Sequence, residues 1–246
     1  MTFDYKKITQ ARIALGHAGP GLPTKAWLLF SYHHACAVDA IHLAWDMSEA
    51  KDQITPCGLA SVVLSTEARD RKTYLTRPDL GCKLADDSKE VLNQMGDAAQ
   101  NSILIMASNG LSSRALLDHL SPFLRLLLPE LSLSGFSVAY DSVFLVANGR
   151  VGLIDDLGER TKAELGLVLI GERPGLSSID SLAAYLTFRP RTGRTNADRN
   201  CVSNIRPPHG LAYDEALSKV IYLIREAVSR KLSGTALKEQ ADPSLS

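Results

Sequence analysis

Cysteine is scarce in this sequence, with only Cys36, Cys57, Cys82 and Cys201 in 246 residues. They are widely spaced and form no C-x-x-C pair, so they read as reduced thiols rather than a disulfide framework or a zinc site. An excess of either charge is also missing. Lys plus Arg and Asp plus Glu both number 27, the wrong balance for a protein that lives on a polyanion. No apolar run approaches the roughly 18 residues that cross a bilayer, and Met1 to Gln10 lacks the apolar segment of a signal peptide. A soluble, cytoplasmic protein is expected. No internal repeat or low-complexity block is visible.

Several common chemistries are absent as well. Gly19-Pro20-Gly21 has no third glycine at the dinucleotide spacing, and no G-x-x-x-x-G-K-[ST], H-E-x-x-H or G-x-S-x-G is present. A self-contained nucleotide enzyme, zinc hydrolase or serine hydrolase is therefore unsupported. His33 and His34 are adjacent, so on a helix they point about 100° apart and read as structural histidines rather than a ligand pair.

What is present is a chain with 45% hydrophobic and 22% charged residues, enough for one large domain or a domain with an extension. At this length a fold buries roughly 70 to 75% of its unfolded surface, so a core can hold it without cross-links. Residues 1–98 read as a helical arm or subdomain. Residues 99–235 read as a Rossmann-like, mostly parallel sheet with helices on both faces, and 236–246 as a polar tail. The sheet is expected from the apolar runs Ser102 to Ala107, Ser142 to Ala147, Leu165 to Ile170 and Leu182 to Phe188. Leu116, Leu120, Phe123, Leu124 and Leu127 recur at helical spacing, with a kink or restart predicted at Pro122. Leu217, Val220, Ile221, Ile224 and Val228 form a second stripe, with Gly234 placed to stop that helix.

The densest chemistry lies between Gly149 and Arg206. One strand runs into Asn148-Gly149-Arg150-Val151, and another into Gly171-Glu172-Arg173-Pro174-Gly175-Leu176. Both place polar, Gly-containing turns where a parallel sheet forms its ligand crevice. A third segment, Arg199-Asn200-Cys201-Val202-Ser203-Asn204-Ile205, follows Arg189, Arg191 and Arg194. Three loops are expected to converge. Taken singly, Glu172 reads as a surface ion pair, Cys201 as a buried structural thiol, and Val151 carries no signal. Gly110-Leu111-Ser112 reads as a plain turn, with phosphate binding at a helix N-terminus as the other reading.

Together these segments closely resemble the small subunit of ethanolamine ammonia-lyase. The likeness extends over Ala11-Arg12-Ile13, Tyr74-Leu75-Thr76-Arg77-Pro78-Asp79, Gly110-Leu111-Ser112, Gly149-Arg150-Val151 with Asp155, Gly171 to Leu176, and Asn200 to Ile205. The resemblance implies an adenosylcobalamin-dependent conversion of ethanolamine to acetaldehyde and ammonia. It implies catalytic residues on a separate large subunit with a (β/α)₈ barrel, and heterodimers that assemble further. The small subunit then closes over the corrin at the interface, in the cytoplasm or within a bacterial microcompartment.

By the matched motifs, the cobalamin contacts are Val151, Glu172 and Cys201. Glu172 has the chemistry to accept from amide N–H groups on the cofactor rim, while Val151 and Cys201 are small and apolar enough to pack closely. No D-x-H-x-x-G is present, so this chain is expected to leave cobalt unligated, with the cofactor's own base on the metal. The arginine cluster reads as a solvated or subunit-facing surface, with the cofactor phosphate as second reading. The sequence departs from the family at His17, Gly21, Cys36 and Val38, where basic residues are usual, and at Asn109, where Asp is usual. The competing reading is a non-catalytic assembly subunit that keeps the fold but has lost the cofactor contacts.

Overall fold

Six strands form one sheet in the computed structural model, which describes residues 11–237. They are β1 (Ala60–Leu64), β2 (Ser102–Ser108), β3 (Ser137–Val146), β4 (Leu165–Gly171), β5 (Leu182–Phe188) and β6 (Arg199–Ile205). Their spatial order is β1-β3-β2-β4-β5-β6. β1, β3, β2 and β4 pair in parallel, and β5 is antiparallel to both β4 and β6. The mixed α/β class and the mostly parallel sheet agree with the sequence reading.

Among the described residues, seven α-helices accompany the sheet: α1 (Thr24–His42), α2 (Met47–Ile54), α3 (Arg71–Thr76), α4 (Asp86–Met95), α5 (Ser113–Leu133), α6 (Leu153–Thr161) and α7 (Tyr213–Arg230). Period-2 alternation divides the apolar side chains between two cores. Ile103, Ile105 and Ala107 of β2 join residues of α2, α5 and α7 on one face. Leu104 and Met106 join residues of α4 and α6 on the other. Every residue of β2 and β4 is buried, which is why both read as unbroken apolar runs. On α5, Leu116, Leu120, Phe123, Leu124 and Leu127 are fully buried, each side chain contributing roughly 1.5 to 3 kcal/mol.

Several details differ from the sequence reading. α5 runs unbroken through Pro122 and Pro129. Both prolines are exposed, so the carbonyls that lose a partner face water while the core-side hydrogen bonds persist. α7 ends at Lys231 in the left-handed conformation rather than at Gly234, which instead opens a short 3-10 turn. The first 98 residues supply more than helices: β1 forms one edge of the sheet, and α2 and α4 contribute to opposite cores. Within the predicted tail, 236–246, Leu237 is buried in the core, and residues 238–246 lie outside those described. Among the described residues, no helix is long and apolar enough to cross a membrane.

Candidate functional site

The turns after β3 and β4 emerge at the same, carboxyl end of the parallel strands. That of β3 leads through Asn148, Gly149, Arg150 and Val151 into α6. It is stitched to the turn after β2. Ser108 Oγ donates to Gly149 O at 2.9 Å and accepts from Gly149 N at 3.1 Å, and Asn148 N donates to Asn109 Oδ1 at 2.9 Å. Arg150 N donates to Gly81 O at 2.8 Å, and its guanidinium lies 4.0 Å from the centre of the Tyr74 ring and donates to Tyr74 O. Arg71 approaches the same ring at 5.0 Å, so the fully buried Tyr74 sits between two cations. Val151 is thereby held half-buried against the α4/α6 core. It also borders a cleft of about 810 Å³ that Arg150, Gly152, Asp155, Arg194 and Arg199 help to line.

The turn after β4 is fixed by close backbone approach. Leu111 N donates to Gly171 O at 3.0 Å, and Ser112 N donates to Asn109 O at 2.9 Å. Gly110 has φ 51°, and a Cβ there would collide with Gly171 O; a Cβ on Gly171 would collide with Ser112 O. Gly110 N donates to Ser108 Oγ at 3.4 Å, so the amides of Gly110-Leu111-Ser112 are all engaged within the protein and the segment serves as a turn and helix cap: Ser112 Oγ accepts from Ala115 N and donates to Ile179 O. Further along the turn, Asp180 meets the buried His119 and Arg206 at 3.4 and 3.7 Å, and His119 bonds Tyr213 at 2.7 Å.

Glu172 is anchored rather than ion-paired with its neighbour Arg173. Its backbone N–H donates to Ser181 O at 2.9 Å, while Ser181 Oγ donates to Oε2 and Asn204 N donates to the same Oε2 at 2.8 Å. The Asn204 amide is available because β6 carries a bulge there. The register jumps between Leu182↔Ile205 and Ala184↔Val202, and Asn204 takes φ 59°. Both protein hydrogen bonds fall on Oε2, which leaves Oε1 as an acceptor held at a fixed angle.

Cys201 departs from the expected arrangement. It lies within the antiparallel edge strand β6, directly opposite Tyr185 of β5, rather than in a strand-tip loop. It is exposed rather than buried, as an edge strand with one open side allows. Burial of its sulfur nonetheless pushes the thiol pKa up; the Tyr185 hydroxyl, within hydrogen-bonding reach, lowers it, and the Glu172 charge raises it. Tyr185 is itself raised, first by burial, then by Cys201 and Glu172, so it stays a protonated donor. Its ring packs against the same core as Val151.

Sequence reasoning passed over Tyr185, although its position carried a signal. In Leu182–Phe188 it is the one half-exposed residue of an otherwise buried strand and the one with a phenol. Also overlooked was Arg199, which pairs through both terminal nitrogens with Asp155 at 2.9 and 2.6 Å, both side chains buried. This pair ties the start of α6 to β6 beneath the candidate site. Among the described residues no group of three or more His, Cys, Asp or Glu is arranged to hold a metal ion.

The model of the ethanolamine ammonia-lyase light chain matches residues 2–238. The chain belongs to the ethanolamine ammonia-lyase light-chain family. The small subunit of this enzyme from Azotobacter vinelandii is 45% identical over 239 residues, covering 96% of this chain and 87% of that one. The Pseudomonas putida small subunit is also 45% identical, over 96% and 87% of the two chains. One from Pseudomonas fluorescens is 43% identical over 97% and 86%. As a light chain, the protein is a small subunit of a lyase complex, which implies a large-subunit partner.

Within this light chain, the departure at Asn109 has a local explanation. Its carboxamide accepts from Asn148 N and donates to Ser113 Oγ at 3.4 Å, a two-way role that suits a buried neutral side chain. The arginine cluster divides. Arg194 pairs with Asp198 and donates to Phe188 O, whereas Arg189 and Arg191 are exposed.

Proposed function

We propose that this light chain helps to hold adenosylcobalamin at its interface with the large subunit, in an enzyme that deaminates ethanolamine to acetaldehyde and ammonia. The observation that carries the reading is the Glu172 carboxylate, fixed through Oε2 by Ser181 and Asn204 at the carboxyl end of the parallel strands, where the turn that bears Val151 also emerges. This donor and acceptor set suits the edge of a corrin, whose rim alternates neutral amides with apolar methyl groups. Glu172 accepts from a rim amide, Val151 supplies apolar contact and backbone groups, and Cys201 allows close approach. None of these roles moves a proton.

When bound, the cofactor supplies radical chemistry through its cobalt–carbon bond, and the protein supplies orientation and exclusion of water. The catalytic residues proper belong to the large subunit in this reading.

The test is reconstitution. Both subunits with adenosylcobalamin should release ammonia from ethanolamine, and neither should do so alone. Glu172→Ala should raise the cobalamin requirement roughly 10- to 150-fold, matching the 1.5 to 3 kcal/mol of a charge-assisted hydrogen bond. Full activity from the large subunit alone, or unchanged cobalamin affinity in the variant, would refute it. Unchanged affinity with intact assembly would favour the scaffold reading.

A further inference from the structure

α1 is apolar on both of its sides. Phe30, His33, Ala37 and Ala40 share one side and are buried or half-buried. Across from them Trp27, Leu28, Ser31, Tyr32, Ala35 and Val38 fall within about 140° of one another at 100° per residue, and all six are exposed. Residues 26–38 include no Asp, Glu, Lys or Arg, in a chain that is 22% charged. A surface helix turns charged residues to water on its outer side, whereas one that is apolar all round is a covered helix.

The open area is large. Trp27 is 56% exposed, Leu28 61% and Tyr32 65%. With Leu29 and Val38 they present on the order of 500 Å² of apolar surface, in the upper range for a monomer's largest patch and more than half of the roughly 800 Å² that one partner gives to a stable interface. Backing from the body is slight. From Thr24 to Cys36 no residue is buried by the described residues, and a helix with so little tertiary support is marginal in water.

The arm is laced to the carboxyl end of the parallel strands. Arg12 donates to His33 Nδ1 on α1 and, at 3.4 Å, to Leu176 O in the turn after β4. Arg71 donates to Ile41 O at 2.8 Å and to Gly110 O in the turn after β2 at 2.7 Å, and Ser113 Oγ donates to Leu43 O at 2.7 Å. The turns that bear Val151 and Glu172 emerge at this same end. A helix lying on a membrane would border its apolar face with Lys or Arg, which 26–38 lacks.

We infer that the outer face of α1 docks on the large subunit. An apolar groove of that partner takes Leu28, Tyr32 and Ala35, spaced i, i+4 and i+7, with Trp27 and Val38 along its edge. The inference rests on the large-subunit partner that a light chain implies and is independent of any cobalamin contact.

All measurements are therefore made without cofactor, on the full light chain and its own large subunit. Leu28→Glu and Tyr32→Ala should each weaken assembly at least roughly 10-fold, as loss of a central anchor does, and leave the melting temperature of the light chain alone unchanged. Leu133→Glu is the control. Leu133 is 79% exposed at the far end of α5, and its substitution should leave assembly within about 2-fold of the parent. Independently of any variant, backbone amides of residues 26–38 should exchange hydrogen at least about 10-fold more slowly in the complex than in the light chain alone.

Unchanged exchange on assembly would overturn the inference, as would unchanged affinity in both arm variants. An equal loss in Leu133→Glu would also overturn it, since the arm would then have no special part. A lowered melting temperature of the light chain alone in Leu28→Glu and Tyr32→Ala would show that the chain itself covers this face. Variants that split a light-chain dimer and leave large-subunit affinity intact would assign the face to a second copy instead.

Discussion

Arg199 grips Asp155 with two parallel hydrogen bonds, Nη1 to Oδ1 at 2.9 Å and Nη2 to Oδ2 at 2.6 Å, joining residues 44 positions apart. Nη1 also reaches Thr187 Oγ1 at 3.3 Å. The pair bridges the first turn of α6, which follows the turn that bears Val151, and the edge strand β6, which carries Cys201.

Breaking this pair from one side should be costly. Arg199→Met leaves the Asp155 carboxylate buried without a cation and is expected to destabilise the fold by roughly 3 to 5 kcal/mol. The double variant Arg199→Met with Asp155→Leu should recover most of that loss, because it leaves no uncompensated charge. Urea unfolding of both proteins decides the matter, and a single variant within about 1 kcal/mol of the parent would deny the pair its structural role.

Tyr74 between Arg71 and Arg150 should behave as an anchor. Tyr74→Ala removes a fully buried ring and the faces of both cations, so a loss of roughly 3 to 5 kcal/mol is expected. Tyr74→Phe keeps the ring and should cost far less. Chemical denaturation of the two variants side by side would show whether the ring, rather than the hydroxyl, provides the support.

Gly171→Ala tests the backbone approach beneath Glu172. A methyl group there meets the carbonyls of Ser112 and Asn109, which belong to a hydrogen-bonded turn and cannot swing aside. Overpacking of this kind costs roughly 1 to 3 kcal/mol. The displaced turn should also carry Glu172 away from Asn204 and lower cobalamin affinity in the assembled complex. A variant with unchanged melting temperature and cofactor binding would show that the turn yields freely.

The Cys201 thiol should react slowly despite its exposed position. Its pKa lies above the ordinary thiol range, so its thiolate fraction at neutral pH is small, and alkylation should accelerate only at higher pH than for a free thiol. Glu172→Gln removes a charge that raises the pKa and should shift the profile downward. Tyr185→Phe removes a hydrogen bond that lowers it and should shift the profile upward. Mass-spectrometric quantification of the Cys201 peptide across a pH series reads both, and shifts in the same direction would contradict this local arrangement.

How far the structure was legible in the sequence depended on burial. β2 and β4 are covered on both faces, so their residues are apolar throughout and their limits were read almost to the residue. β1 and β6 are the sheet's edges. β6 alternates Arg199, Cys201 and Ser203 with Asn200 and Val202, a mixture that resembles a loop until β5 supplies its partner. Parallel and antiparallel pairing of β5 could not be separated by hydrophobicity, since Leu182–Phe188 is as buried as a central strand. For the site, the motif residues were named one by one, but the partners that hold them were hidden. Tyr185 becomes significant only once Cys201 is known to face it, and Glu172 only once a bulge 32 residues later offers it an amide.

The strand order has a consequence for how the molecule assembles itself in time. β4, β5 and β6 form a meander with antiparallel pairings between neighbours in the chain, whereas β1 finds its partner only after β3, some 80 residues later, has been made. Closing local hairpins is entropically cheaper than closing distant parallel pairs. The ledge bearing Glu172, Tyr185 and Cys201 is thus expected to acquire protection from hydrogen exchange during refolding before the β1 edge does.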